Sequence, residues 1–154
     1  MQFAPMTAIG RVVGGRTEVE DDNWGSVCAH IELDDGVLKK TATQGLEAFS
    51  HVEVVFLFDR LAEDSVCRGD RHPRGNQDWP SVGILAQRAK DRPNRIGITT
   101  CELVDVGPGW LEVRGLDAVV GTPVLDIKPF MREFGARGPV VQPQWASELM
   151  QGYW

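Results

Sequence analysis

Three polar-rich stretches hold the side chains best suited to chemistry. RHPRGNQDWP, residues 71–80, sets two arginines, a histidine, an asparagine and a tryptophan among prolines. Guanidinium forks suit carboxylate or phosphate, and an indole offers a flat face for stacking. His72, Arg74 and Trp79 are therefore candidate substrate contacts. QRAKDRPNRIG, residues 87–97, contains a turn stiffened by Pro93. The proline ring fixes its own φ and pushes Arg92 towards extended backbone. Such a turn presents Arg92 and Asn94 at little ordering cost. In GLDAVVGTPVLDIKPF, residues 115–130, Asp126 and Lys128 flank Ile127. On a strand they share one face, as opposite charges that steady each other. A plainer reading stands beside each: a solvated ion pair of little worth, an ordinary loop, a structural His72, and a Trp24 in DDNWGS that only packs.

The charge distribution singles out the same region. Residues 68–95 carry seven Lys/Arg against three Asp/Glu, on a chain whose net charge is −6. A local excess of cations points to an anionic partner such as a phosphate, a carboxylate or an RNA backbone. The acidic whole excludes simple coating of nucleic acid, because the overall field has the wrong sign.

Several chemistries are disfavoured. There is no Ser–His–Asp signature or nucleophile elbow. His30, His51 and His72 form no HxxxH pair, and no CxxC occurs, so no metal site is expected. Cys28 and His30 read as two side chains on one strand face. Three scattered cysteines, Cys28, Cys67 and Cys101, fit a reducing compartment rather than a disulfide framework. No apolar run approaches membrane-spanning length, and MQFAPMTAIGRVV lacks the pattern of a signal peptide, so a cytoplasmic location is expected.

The elements that must position these residues are short and strand-like. TAIGRVVGG, SVCAHIELDDG, HVEVVFLFD, SVGILAQ, IGITTCELVDV, WLEVRGLDAV and PVLDIKPF read as strands, with Val27, Ala29, Ile31 and Leu33 alternating at period two. Short helices fit LKKTATQGLEAF and PQWASELMQ. No strand leads into GxGxxG, and no GxxxxGK[ST] is present. The expectation is a mainly β, small single-domain, β-barrel-like mixed sheet over residues 1–154, with one or two short helices, and not a Rossmann fold.

In order and spacing, GLEAFSHVEVVFLFD, RHPRGNQDWPSVGILAQR, RPNRIG and DAVVGTPVLDIKPF resemble the tRNA methyltransferases that methylate N6 of threonylcarbamoyladenosine beside the anticodon. The resemblance runs from Gly10 to Phe134. It implies a small β-barrel, S-adenosylmethionine as methyl donor, tRNA as acceptor, and a homodimer with active sites near the subunit interface. It implies cofactor contacts at Asp59 and Arg60, Arg88, Ile98, Leu116 and Asp117, with Trp24, Gly25 and Ser26 filling the N-terminal loop's place. Arg92, Asn94, Asp126 and Lys128 become the catalytic candidates, and Asp126 the candidate base. Ala86-Gln87-Arg88-Ala89 replaces the family's ATRS, Arg95 its second proline in RPNPIG, and Phe130 its tyrosine in DIKPY. These departures mark a divergent short branch. Two alternatives stay open: a methyltransferase of the same fold with a small-molecule acceptor, and a module that binds the donor without transferring the methyl.

Overall fold

Residues 5–154 are described by a computed structural model. The reading of the first residues as leader-free bears partly on residues 1–4, which lie outside them. Six strands close into a barrel: β1 (Gly10–Gly14), β2 (Cys28–Leu33), β3 (His51–Leu57), β6 (Ile96–Gly107), β7 (Trp110–Arg114) and β8 (Pro123–Pro129), in the order β1-β2-β7-β6-β3-β8. β8 pairs back onto β1, with Gly10 opposite Val124. The mainly β, barrel-like expectation holds. Within it every ladder is antiparallel rather than mixed.

Alternation builds the core. On β3, Val52, Val54 and Phe56 point inward and are fully buried. They meet Ala29, Ile31, Cys101, Leu111, Val113 and Val124 from the other staves. Burying side chains of this size stabilises by about 1.5–3 kcal/mol each. Register shifts fall between Val12 and Gly14, Val55 and Phe56, and Leu103 and Asp105. Bulges of this kind bend strands and help a small sheet close. The shift opposite β8 puts Ile127 against the core and leaves Asp126 and Lys128 on the outer wall. Gly97 is required by close packing: a Cβ there would lie 2.5 Å from the Phe56 ring.

SVGILAQ does not form a full strand. Only Val82–Gly83 (β5) is extended, pairing with Asp70–Arg71 (β4) in a separate two-stranded sheet. A 3₁₀ turn over Ile84–Ala86 follows, because the buried Gln87 spends its side chain on the carbonyls of Arg71 and Val82 and holds this segment as a folded loop. LKKTATQGLEAF becomes two 3₁₀ turns, Lys40–Thr43 and Leu46–Ala48, split by Gly45 at φ 88°. The helix expected near PQWASELMQ forms as α1 (Gln144–Leu149).

Antiparallel order sends three loops from one end of the barrel: residues 15–27, 58–95 and 115–122. Residues 34–50 and the β6–β7 hairpin turn lie at the other. Trp24, Gly25, Ser26, Asp59, Arg60, His72, Arg74, Trp79, Arg88, Arg92, Asn94, Leu116 and Asp117 all fall on the three loops of the first end. Ile98 is the third residue of β6, close to that end.

Candidate active site at one end of the barrel

Asp117 is the centre of the first end. Its residue is half-buried, just after the fully buried Leu116. The Thr99 hydroxyl, from the inner face of β6, donates to Oδ1, and the Tyr153 hydroxyl donates to Oδ2. Tyr153 resists ionisation: burial, then the adjacent Asp117 charge, pushes its phenol well above the usual value. Arg88 and Arg74 lie near enough to pull in the opposite direction.

The loops are tied around this carboxylate. Gly115 N–H donates to the Val27 carbonyl at 3.0 Å, and Val120 N–H to the Arg16 carbonyl at 2.8 Å. The Arg16 guanidinium lies 4.2 Å from the centre of the Trp24 ring and donates to the Asp22 carbonyl. Arg74 reaches across to Asp22 at 2.7 Å. That guanidinium holds the Asp22 carboxyl below its ordinary range, and the carboxylate raises Arg74 in return. Residues 144–154 close the arrangement. Trp24 N–H donates to the Tyr153 carbonyl at 2.8 Å, Asn23 N–H to that of Gly152 at 2.9 Å, and Trp79 Nε1 to Glu148 Oε2 at 2.7 Å. A Cβ on Gly25 would meet the Trp154 carbonyl carbon at 2.6 Å, so only glycine admits this approach.

A second group lies on the outer wall. Ile98, Val55 and Asp126 are cross-strand partners, as are Thr100, Glu53 and Lys128 in the next row. Lys128 donates to Asp126, and this carboxylate, then Glu53, raises the Lys128 ammonium. Arg88 joins the two groups: it donates to the Ile98 carbonyl and acts on Tyr153.

The candidates therefore do not converge on one point. Trp24, Gly25, Arg74, Trp79, Leu116 and Asp117 share the end cluster, whereas Ile98, Asp126 and Lys128 sit on the outer wall. Arg60 donates to the Val120 carbonyl, beside Asp59. His72 Nδ1 lies 2.6 Å from the Trp79 carbonyl oxygen. Arg92 donates to the Gln87 carbonyl at 2.9 Å and Arg95 to that of Leu61 at 2.8 Å, while Asn94 and Ser26 are exposed. Most cations of residues 68–95 are spent within the fold: Arg71 on Asp91, Arg74 on Asp22, Lys90 on Asp21. Sequence reading missed Thr99, Asp22, Glu148 and Tyr153. Only Tyr153 carried a signal, as the single tyrosine of the chain.

Residues 21–136 match the model of the tRNA-methyltransferase O N-terminal domain. The chain belongs to this family. A tRNA (adenine(37)-N6)-methyltransferase of Homo sapiens is 38% identical over 99 residues, covering 64% of this chain and 22% of that protein. Its Escherichia coli namesake is 41% identical over 96 residues, 58% of this chain and 40% of that protein. A Methanothermobacter thermautotrophicus protein named "Probable S-adenosyl-L-methionine-binding protein" is 42% identical over 97 residues, 63% of this chain and 66% of its own. The match thus spans well under half of the human and bacterial enzymes. The crystal structure of TrmO from Pseudomonas aeruginosa shares the family fold with a TM-score of 0.74 at 27% identity, over 94% of this chain and 62% of that one. The antiparallel barrel is accordingly the family's, and the loops at its first end fall largely inside the matched stretch. Among the described residues no group of His, Cys, Asp and Glu is placed to hold a metal ion, and no helix is long and apolar enough to cross a membrane.

Proposed function

We propose that this chain is an S-adenosylmethionine-dependent methyltransferase acting on N6 of threonylcarbamoyladenosine in tRNA. The observation that carries the reading is the Asp117 carboxylate, fixed at the barrel end by two hydroxyl donors, with Arg88 and Arg74 near enough to act on the Tyr153 donor. The residues present fit the donor. Its ribose hydroxyls and ammonium need a carboxylate acceptor, its carboxylate needs a guanidinium, and its adenine needs an apolar bed with few polar groups. Asp117 would supply the first, Arg88 the second, and the exposed Ile98 with the backbone around the buried Leu116 the third. Relatives named tRNA (adenine(37)-N6)-methyltransferase in human and Escherichia coli, and one named "Probable S-adenosyl-L-methionine-binding protein" in Methanothermobacter, support this donor and a tRNA adenine as acceptor.

When bound, the donor would supply a methyl group carried on a sulfonium, with Asp117 and Arg88 as the residues that would hold it. The chain's own task is alignment, worth up to about 7–11 kcal/mol in favourable cases. The acceptor nitrogen must also release a proton. Asp126, steadied by Lys128 on the outer wall, is the residue we assign to receive it, with Arg92 and Asn94 orienting the acceptor. Arg88 spans from the end cluster to that wall, so donor and acceptor meet along it. His72, Arg74 and Trp79 line the acceptor's approach. We read the chain as one domain acting as a homodimer in the cytoplasm.

The test is transfer of labelled methyl from S-adenosylmethionine to tRNA bearing threonylcarbamoyladenosine. The expected result is label at N6 with wild-type protein, and at least a hundredfold loss for Asp126→Ala with the fold retained. Wild-type turnover in Asp126→Ala would remove it from the mechanism. A second reading, transfer to a small-molecule acceptor, is favoured by the internal use of the loop cations, which leaves fewer of them for RNA phosphates. Label appearing in a small-molecule pool, with no salt-dependent tRNA binding, would select it.

A further inference from the structure

We propose that Tyr153 is a positioning residue for the donor site: its hydroxyl, with that of Thr99, fixes the Asp117 carboxylate in the orientation that receives the donor. The inference rests on the reading of this barrel end as the donor site and adds residues 144–154 to it.

A carboxylate has roughly four acceptor directions. Thr99 takes one on Oδ1 and Tyr153 one on Oδ2, so neither oxygen is free to swing. The remaining directions are left for a ligand's hydroxyl or ammonium donors. Tyr153 is suited to the task because burial and Asp117 itself keep its proton in place.

The position of Tyr153 is itself built. It comes from 36 residues beyond Asp117 and is held by the Trp24 N–H on its carbonyl. The neighbouring Asn23 N–H to Gly152 carbonyl bond extends the pairing. Gly25 admits the Trp154 backbone, and Trp79 anchors α1 through Glu148. Residues 144–154 thus touch the loops 15–27, 58–95 and 115–122 together. The Trp79 anchor comes from the loop assigned to the acceptor, and the Tyr153 hydroxyl ends on the loop assigned to the donor.

The experiment is a double-mutant cycle read by calorimetric titration of the full chain with S-adenosylhomocysteine, the unreactive product of the donor. Tyr153→Phe should weaken binding about tenfold, as expected for losing a hydrogen bond to a charged group. Asp117→Ala should weaken it further, and Tyr153→Phe should then cost nothing more in the Asp117→Ala background. In turnover, Tyr153→Phe should raise KM for the donor and leave kcat at saturation unchanged. Thr99→Val repeats the cycle from the other oxygen, and stands in if Tyr153→Phe lowers the melting temperature below the assay. Two results overturn the proposal: wild-type affinity in Tyr153→Phe and Thr99→Val, or losses that add in full to that of Asp117→Ala. Failure of the wild-type chain to bind the product at all would strike the donor-site reading first, and the positioning role with it.

Discussion

At the scale of single residues, environment separates groups that the sequence makes look alike. Cys28 is exposed, and Cys101 is 1% exposed inside the barrel. Burial, and then the Asp117 charge, pushes the Cys101 thiol up to about 12. A thiolate is the reactive form, so Cys101 is inert in the folded chain. Iodoacetamide at pH 8 should label Cys28 in native protein and reach Cys101 only after denaturation, as read by mass spectrometry of the peptides. Native labelling of Cys101 would contradict the closed barrel. The arginines divide in the same manner. Residue types and the stiff turn singled out Arg74 and Arg92, and the family resemblance Arg88, but not that their forks answer to Asp22, Gln87 and Ile98. Those partners are distant in sequence, or are backbone carbonyls that any residue type provides. Asp117 entered through family resemblance alone, and its Thr99 and Tyr153 donors come from opposite sides of it in the chain, beyond the reach of local pattern.

At the scale of elements, legibility followed burial. β2, β3, β6 and β7 were plain because alternate residues must face a closed interior, and period two is the direct imprint of that demand. SVGILAQ misled because its apolar residues serve a loop. Leu85 is 80% exposed, Ile84 is buried, and Gln87 satisfies two carbonyls that a sheet would otherwise have paired. The outward direction of Asp126 and Lys128 follows from a register shift on β8, which composition does not announce. Close approach is the other hidden element-scale constraint. At Gly97 a methyl would strike the Phe56 ring across β3 and β6. Gly97→Ala should cost about 1–3 kcal/mol through overpacking, lowering the melting temperature by several degrees. An unchanged melting temperature would mean that Phe56 has room to move aside.

For the whole molecule, burial inside the barrel and at its first end keeps titratable groups neutral. Cys101 has its folded pKa raised from 9.0 to about 12, and Tyr153 is raised for the same first reason, burial. A raised folded value contributes stability that is complete below the unfolded pKa and is lost as pH climbs through the folded one. Urea unfolding should therefore show stability falling from pH 9 upward, by at most about 1.4 kcal/mol per pH unit for each such group. Cys101→Ala should flatten that slope, even though the cavity lowers stability at pH 7. Parallel slopes would show that the thiol is not sealed inside.

The whole-molecule claim that matters most is that three loops and the 144–154 segment make one donor-binding end. The measurement that tests it most directly is thermal unfolding of the full chain with S-adenosylmethionine, with its demethylated product, and with ATP and NADH as controls. At about 100 times Kd the donor should add roughly 2.7 kcal/mol, a rise of several degrees for a chain of this size. The product should do the same, the controls should not, and Asp117→Ala should lose the rise. A melting temperature indifferent to millimolar donor, or one raised equally by ATP, would contradict the account.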